Sequence, residues 1–164
     1  MKADYSIYTD FGTITPSLFY LRNLRQKRTP VAGGNAPDLT GTARGMDRYK
    51  IIGYLDYQGR QFSARLTGRY TPAYLNNYGV TYVQGVPMDA DFDGTPDGSF
   101  PVKSLTTFDL SMAWNYSQAI SINAGGRNIF DAAPPSALID RRPFDASRYD
   151  IRGRVLYLEA RVSF

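Results

Sequence analysis

The chain has 164 residues, with 19 Lys plus Arg against 15 Asp plus Glu, and it contains neither His nor Cys. This composition excludes a His base, a Cys nucleophile, a zinc site of the usual His/Cys kind and a disulfide framework. No carboxylate pair is placed for acid–base work, so we expect no enzymatic activity. The net charge of +4 is too mild for the basic stripe of a nucleic-acid-binding protein.

Alternation of apolar and polar residues is the main signal along the chain. It is clearest from Thr107 to Tyr116, where every second residue is apolar, and a period of two indicates a strand with one apolar face. Pro16 lacks a ladder donor and is expected near the start of its strand. Seven strands are predicted near residues 3–9, 13–25, 47–57, 61–72, 104–117, 120–130 and 153–164.

The connections between these strands are alternately short and long. The short ones lie near 9–12, 58–60 and 117–119, and the long ones near 26–46, 73–103 and 131–152. Outer-membrane barrels have short periplasmic turns, long extracellular loops and aromatic residues at both membrane interfaces, which fits the 13 Tyr of this chain. The sequence therefore predicts an all-β, antiparallel, up-and-down transmembrane barrel segment. The alternative is a soluble β-sandwich whose apolar face is its core.

The polar faces of the predicted strands carry charges that would line a wet cavity. There they would pair with one another or meet a plug. These residues are Arg65, Arg69, Asp109, Glu159 and Arg161. A second charged group, expected where the second strand emerges at the outer surface, would contact lipopolysaccharide phosphates or form an ordinary solvated loop base. It consists of Arg22, Arg25, Lys27 and Arg28.

An odd number of strands does not fit a complete bacterial barrel, which has an even number. An unpaired first strand in lipid would leave backbone groups without partners, at several kcal/mol each. Either an eighth strand lies near 78–86, or the chain is the C-terminal part of a larger barrel. The first residues, MKADYSIY, contain no apolar core of a signal peptide, which favours the second explanation.

The last forty residues carry a specific pattern. Asn128-Ile129-Phe130-Asp131 is followed by Pro134-Pro135, and the final predicted strand begins near Tyr149-Asp150-Ile151-Arg152-Gly153-Arg154 and ends in Phe164. This resembles the C-terminal end of TonB-dependent outer-membrane receptors, although Ile129 replaces the usual Leu. The segment from Thr9 to Thr15 also looks like the periplasmic hairpin that recurs earlier in such barrels.

The resemblance implies a 22-stranded barrel closed by an N-terminal plug domain in the outer membrane of a Gram-negative bacterium. Such receptors import iron–siderophore complexes, vitamins or glycans with energy passed from TonB. Residues 1–164 would be the closing barrel strands, with the plug and the TonB-contacting segment absent. The implied partners are outer-membrane lipid, lipopolysaccharide, the barrel-assembly machinery, TonB through the plug, and a small-molecule substrate of unknown identity.

The motif residues are expected to be structural. Pro134 and Pro135 would end the ladder where the sixth strand leaves the membrane. Gly153 would allow a backbone geometry closed to other residues. Phe164 resembles the C-terminal signal that the assembly machinery reads, or it is an interfacial aromatic. The whole set is Asn128, Phe130, Asp131, Pro134, Pro135, Gly153, Arg154 and Phe164.

Residues 89–98 contain carboxylates at the spacing of a calcium loop. Asp89, Asp91, Asp93 and Asp97 take positions 1, 3, 5 and 9, with a Gly at position 6, as in D-x-D-x-D-G loops. Position 12 is Phe100 rather than a bidentate Glu, so the affinity would be weak. The alternative is a solvated acidic turn.

Two further interpretations stay open from sequence. Tyr74, Tyr78 and Tyr82 in the second long connection could stack on a flat ligand or sugar, or could simply pack the loop. Apart from a transporter fragment, the chain could be a small complete eight-stranded barrel with a structural or adhesive role, or a soluble calcium-binding β-module.

Overall fold

The structure, a computed structural model, describes residues 1–28, 36–80, 82–83, 86–87, 89, 97–137 and 143–163. These residues form an all-β fold of antiparallel strands. In chain order the strands are β1 Lys2–Asp4, β2 Ile7–Thr9, β3 Gly12–Arg22, β4 Tyr49–Gln58, β5 Phe62–Thr71, β6 Tyr74–Asn76, β7 Tyr82–Val83, β8 Val86–Pro87, β9 Phe100–Val102, β10 Leu105–Asn115, β11 Ile120–Arg127 and β12 Val155–Val162.

One large sheet contains all the long strands, in the order β1, β3, β4, β5, β10, β11, β12, with β2 also paired to β3. Along this path each long strand pairs with the next long strand of the chain. The short strands β6 to β9 lie between β5 and β10 in sequence and are not part of the large sheet. The up-and-down order predicted from sequence is therefore confirmed. In the described part of the chain β12 and the β1–β2 edge each have a strand on one side only.

The first predicted strand, residues 3–9, is divided into β1 and β2, and the break between them lies opposite Pro16 of β3. β1 and β2 share one register against β3, and the break at Tyr5 and Ser6 lies opposite Pro16 and Thr15. Pro16 has no N–H to donate, although its carbonyl still accepts from Tyr5 N at 3.2 Å. Ser6 Oγ and Thr15 Oγ1 lie 3.2 Å apart and link the strands at the gap. Pro16 is the fifth of the eleven residues of β3, one position further from the strand start than the predicted bounds placed it.

The described residues of the region proposed for an eighth strand do not join the large sheet. Within it β7 and β8 pair with each other in a two-stranded sheet of their own. β6 and β9, which the alternation did not reveal, form another short sheet within the second long connection.

The three short connections are tight turns with local hydrogen bonds. Thr9 Oγ1 donates to Gly12 O at 2.5 Å, which closes the first turn. Gly59 N donates to Phe62 O at 2.8 Å in the second. In the third, Ser117 Oγ accepts from Ile120 N at 3.1 Å. These turns fix the register of the three strand pairs that they connect.

The apolar face of the sheet is a band of aliphatic residues. Leu55, Leu66 and Leu110 lie directly opposite one another on β4, β5 and β10. Leu18 and Leu158 on the same face are 48% and 77% exposed. Each strand of the sheet contacts only its hydrogen-bonded neighbours in the described part of the chain, so no second layer covers this face there.

Aromatic rings border this band at both ends. At the end with the long loops, the rings of Tyr20, Tyr49 and Tyr70 follow one another at 6.2 and 6.0 Å between centroids. At the end with the tight turns, the series is Phe11, Tyr57 and Phe62, spaced at 6.4 and 6.0 Å, with a Trp114–Tyr116 pair at 5.4 Å. From Phe62 to Tyr70, β5 rises about 26 Å.

Candidate functional site

The opposite face of the sheet brings together the charges that were predicted to share it. The register places Asp56, Arg65 and Ser111 in one row, and Arg69 lies on the same side four residues further along β5. Arg65 Nε donates to Asp56 Oδ1 at 2.5 Å, and Arg69 donates to Asp109. Arg161 pairs with Glu159 at 3.4 Å. Of the two outcomes left open from sequence, four of the five predicted charges pair with one another, whereas Arg65 pairs with Asp56, which was not among them.

These ion pairs contribute little to stability. The side chains of Arg65 and Arg69 are 56% and 48% exposed, and exposed pairs of this kind typically contribute about 0–1 kcal/mol. Their effect is to make one face of the sheet hydrophilic while the other stays apolar.

Four of the motif residues, Asn128, Asp131, Gly153 and Arg154, meet at one junction above β11 and β12. Asn128 and Asp131 both have positive φ, at 47° and 55°. The Asn128 side chain donates to Ala132 O at 3.0 Å and accepts from Ala132 N at 3.0 Å. Asp131 Oδ1 accepts from Arg154 N at 2.8 Å. Asn and Asp tolerate this backbone region better than other residues with a side chain, which explains why they occupy these positions.

The structure corrects the role assigned to the two prolines. β11 ends at Arg127, where Asn128 turns into the left-handed region, and Pro134 and Pro135 follow several residues later in the loop. Phe130 is 71% exposed and meets Phe108 edge-on at 5.5 Å, so it extends the aromatic border of the apolar face. Phe164 lies outside the described residues.

Gly153 permits the strained turn into β12, as expected. Its φ is +65°, and a Cβ there would stand 2.8 Å from Asp131 Oδ1. We expect Gly153→Ala to lower the free energy of unfolding by about 1–2 kcal/mol, since an L residue is disfavoured in this region. Gly53→Ala is the matched control, because a Cβ at Gly53 meets only Ser17 O at 4.0 Å. Equal destabilisation of both variants in chemical unfolding would contradict the assigned role.

The three long loops share a small core of their own. Tyr74 and Val102 come from the second loop and Ala137 and Tyr149 from the third, and all are buried. Ala43 of the first loop packs against them. We call this cluster the loop core. Backbone bonds also join the first and second loops, with Ala43 N donating to Leu75 O at 2.8 Å and Leu75 N to Gly41 O at 2.9 Å.

Arg148 connects all three loops. Its guanidinium donates to Asp47 Oδ1 at 2.8 Å and Asp145 Oδ2 at 2.6 Å. It also donates to two carbonyls of the first loop, Thr42 O at 3.0 Å and Gly45 O at 2.9 Å. The same guanidinium lies 4.2 Å from the centre of the Tyr74 ring. Only 9% of the Arg148 side chain is exposed, so these contacts are made largely out of water.

The titration behaviour of this cluster follows from burial and pairing. Burial opposes ionisation of Asp145, but hydrogen bonds from Ser147 and Arg148 outweigh it and lower the pKa of the carboxyl. For Arg148, the contacts with Asp47 and Asp145 outweigh burial and raise the pKa. Burial raises the pKa of Tyr149 to about 12. The ion pair therefore stays charged at any pH near neutrality.

The predicted calcium loop is only partly within the described residues. Asp91 and Asp93 lie outside them, whereas Asp89 and Asp97 are described. Among the described residues, no group of three or more acidic, His or Cys side chains is placed to hold a metal ion.

The tyrosines of the second loop have different surroundings. Tyr74 is 4% exposed and belongs to the loop core, which agrees with loop packing. Tyr78 is 45% exposed and lies under the Arg44 guanidinium at 5.5 Å. The side chain of Tyr82 is outside the described part.

The basic cluster at the end of β3 is exposed. Arg22, Arg25, Lys27 and Arg28 all lie at the surface at the loop end of the sheet. Nearby, hydrogen bonds from the side chain and N–H of Thr40 and the N–H of Gln26 hold the pKa of Asp38 at about 2.

Two adjoining grooves run along the hydrophilic face toward the loops. Their volumes are about 520 and 440 Å³, and Arg69, Asp109 and Arg127 line both. Arg152 lines the first groove, and Arg148 and Asp150 line the second. The side chain of Arg152 grips Asp150 through Nε at 2.9 and 3.1 Å and Nη2 at 2.6 Å, and this contact holds the pKa of Asp150 at about 2.

Sequence reasoning did not find Arg127 or Arg148. Arg127 ends a strand that alternates only weakly, and Arg148 lies in a loop whose partners are about 100 residues away in the chain. Strand periodicity gives no information about such contacts.

Comparisons with known proteins add no family assignment. No protein-family model matches the chain, and no curated protein does either. In the residues that the structure describes, no helix is long and apolar enough to span a membrane.

Proposed function

We propose that this chain forms part of an outer-membrane β-barrel of the TonB-dependent receptor type, which takes up a scarce nutrient across the outer membrane of a Gram-negative bacterium. One observation carries the proposal. A row of leucines, exposed at Leu55 and half-buried at Leu66 and Leu110, lies between two aromatic borders on one face of the sheet, while the other face holds ion pairs. This is the arrangement of a barrel wall between lipid and a wet interior.

The open edges support a barrel larger than this sheet. Inside a bilayer, unpaired strand edges leave N–H and C=O groups without partners, at a cost of several kcal/mol each. Further strands that pair with β12 and with the β1–β2 edge would remove that cost. In the proposed barrel, the tight turns face the periplasm and the loop core faces outward.

The junction between Asn128 and Arg154 supports the receptor type. Its residues belong to the pattern that resembles TonB-dependent receptors. Asn128 and Asp131 form left-handed backbone turns, and side-chain hydrogen bonds hold the junction together. Substrates of such receptors are siderophore-bound iron, vitamins or glycans. In this proposal a plug domain and TonB act with the barrel, and the assembly machinery inserts it.

Nutrient-limited growth tests the uptake proposal. A strain in which the gene is deleted is expected to grow more slowly than its parent on one limiting source of ferric chelate, vitamin B12 or polysaccharide. Disruption of TonB should cause the same defect on that source, because uptake requires its energy. Unchanged growth on all three sources would contradict the proposal.

Because the chain contains no Cys, single cysteines can be introduced to test which side of the outer membrane a loop or turn faces. Leu24→Cys lies in the first loop, where Leu24 is 81% exposed, and Gln118→Cys lies in a tight turn. In intact complemented cells, a membrane-impermeant maleimide should label Leu24→Cys. It should label Gln118→Cys only after the outer membrane is permeabilised.

A further inference from the structure

Arg127 differs from the other strand arginines of the hydrophilic face. Arg65, Arg69 and Arg161 each contact a carboxylate. Arg127 is exposed at the end of β11 and makes no ion pair among the described residues. It therefore presents a guanidinium whose charge is not matched by a direct partner.

The carboxylate across the ladder is already engaged. The register that pairs Leu110 with Gly126 places Asp109 opposite Arg127. One oxygen of Asp109 accepts from Arg69, and the other accepts from Asn128 N at 2.9 Å. Each oxygen of Asp109 therefore already accepts one hydrogen bond from a group other than Arg127.

The second nearby carboxylate is engaged as well. Asp150 lies close enough for Arg127 to lower its pKa, although less than Arg152 does. Both of its oxygens are taken by the Arg152 side chain, and Arg152 N donates to Oδ1 at 3.1 Å. Arg127 is left at the point where the two grooves join, with the Arg69 and Arg152 guanidinium groups lining the same space.

From this arrangement we infer that Arg127 binds the anionic group, a carboxylate or phosphate, of a small solute that enters the grooves. The guanidinium can donate two parallel N–H bonds to either kind of oxyanion. The adjoining grooves are large enough for a molecule of ordinary metabolite size. As a statement about the transported nutrient, this inference rests on the proposed function, whereas the binding itself does not.

Titration calorimetry on the folded protein in detergent tests the inference. The probes are citrate and inorganic phosphate, each at constant ionic strength against chloride. Saturable binding of at least one probe is expected, and the one that binds more tightly identifies the kind of oxyanion. Arg127→Gln should weaken that binding by at least about 10-fold, because a charge-assisted contact is lost.

Arg161→Gln is the matched control, since it removes the same charge from the same face near the tight turns. It should leave the affinity unchanged. Absence of saturable binding by either probe, or equal weakening by both variants, would overturn the inference. If binding depends on Arg127 but deletion of the gene does not slow growth, the anion site is supported and the proposed transport function is contradicted.

Discussion

Arg148→Met is expected to lower the free energy needed to open the loop core by about 3–5 kcal/mol, because it leaves the carboxylates of Asp47 and Asp145 without their buried partner. It also frees two carbonyls of the first loop and removes the cation from the Tyr74 ring. The strands should keep their pairing, since none of these contacts lies within the large sheet.

Amide hydrogen exchange measures this opening directly. Ala43 and Leu75 donate the backbone bonds between the first two loops, so their exchange reports on the loop core. We expect exchange at both amides to accelerate by about 10²–10⁴-fold, which corresponds to that loss of free energy. Exchange at strand amides of β4 and β5 provides the internal reference.

Arg152→Met is the control for losing an arginine. Arg152 also grips an aspartate, but its side chain is 63% exposed, and we expect a change of about 0–1 kcal/mol. Arg148→Met combined with Asp145→Asn should recover part of the loss, because one unpaired charge is removed with its partner. If Arg148→Met behaves like Arg152→Met, Arg148 does not hold the loops together.

Leu110→Arg is expected to lower the free energy of unfolding in phosphatidylcholine vesicles by about 2–4 kcal/mol. Leu110 is level with Leu66 and Leu55 and lies midway between the two aromatic borders, where a charge would face the centre of the bilayer in the proposed barrel. Guanidinium titration of the vesicle-bound protein measures the change.

The neighbouring residue supplies the control. Ser111 lies at the same depth but on the hydrophilic face, in the row of Arg65, and is exposed. Ser111→Arg should therefore change stability by about 0–1 kcal/mol. If Leu110→Arg does not insert, Leu110→Ala should give a smaller loss of the same sign. Equal effects of the two arginine variants would mean that the leucine row does not face lipid.

Strand positions and faces were predictable from sequence because a period of two needs only local information. The interval from Thr107 to Tyr116 alternates without a break, and β10 was found within two residues at each end. Alternation at Ile120, Ile122 and Ala124 was weaker, and the predicted strand continued past the turn at Asn128. A left-handed turn does not change the alternation of apolar and polar residues, so this strand end could not be predicted from it.

The candidate site was only partly predictable, because its charges are brought together by the ladder register and by loop contacts. Alternation placed Arg65 and Arg69 on one face, and their partners followed from the register. Arg127 has no ion-pair partner among the described residues partly because the N–H of Asn128 donates to Asp109. These two residues are 19 positions apart in the chain. The loop core depends on contacts more than 100 residues apart.

The Arg148 contacts also determine how motion passes through the molecule. The first loop joins β3 to β4, the second lies between β5 and β10, and the third joins β11 to β12. Fastening the three loops to one side chain couples the upper ends of three strand pairs that otherwise communicate only through their ladders. We therefore expect the parts of the three loops that contact Arg148 to be displaced together, and not independently, when any one of them is pulled.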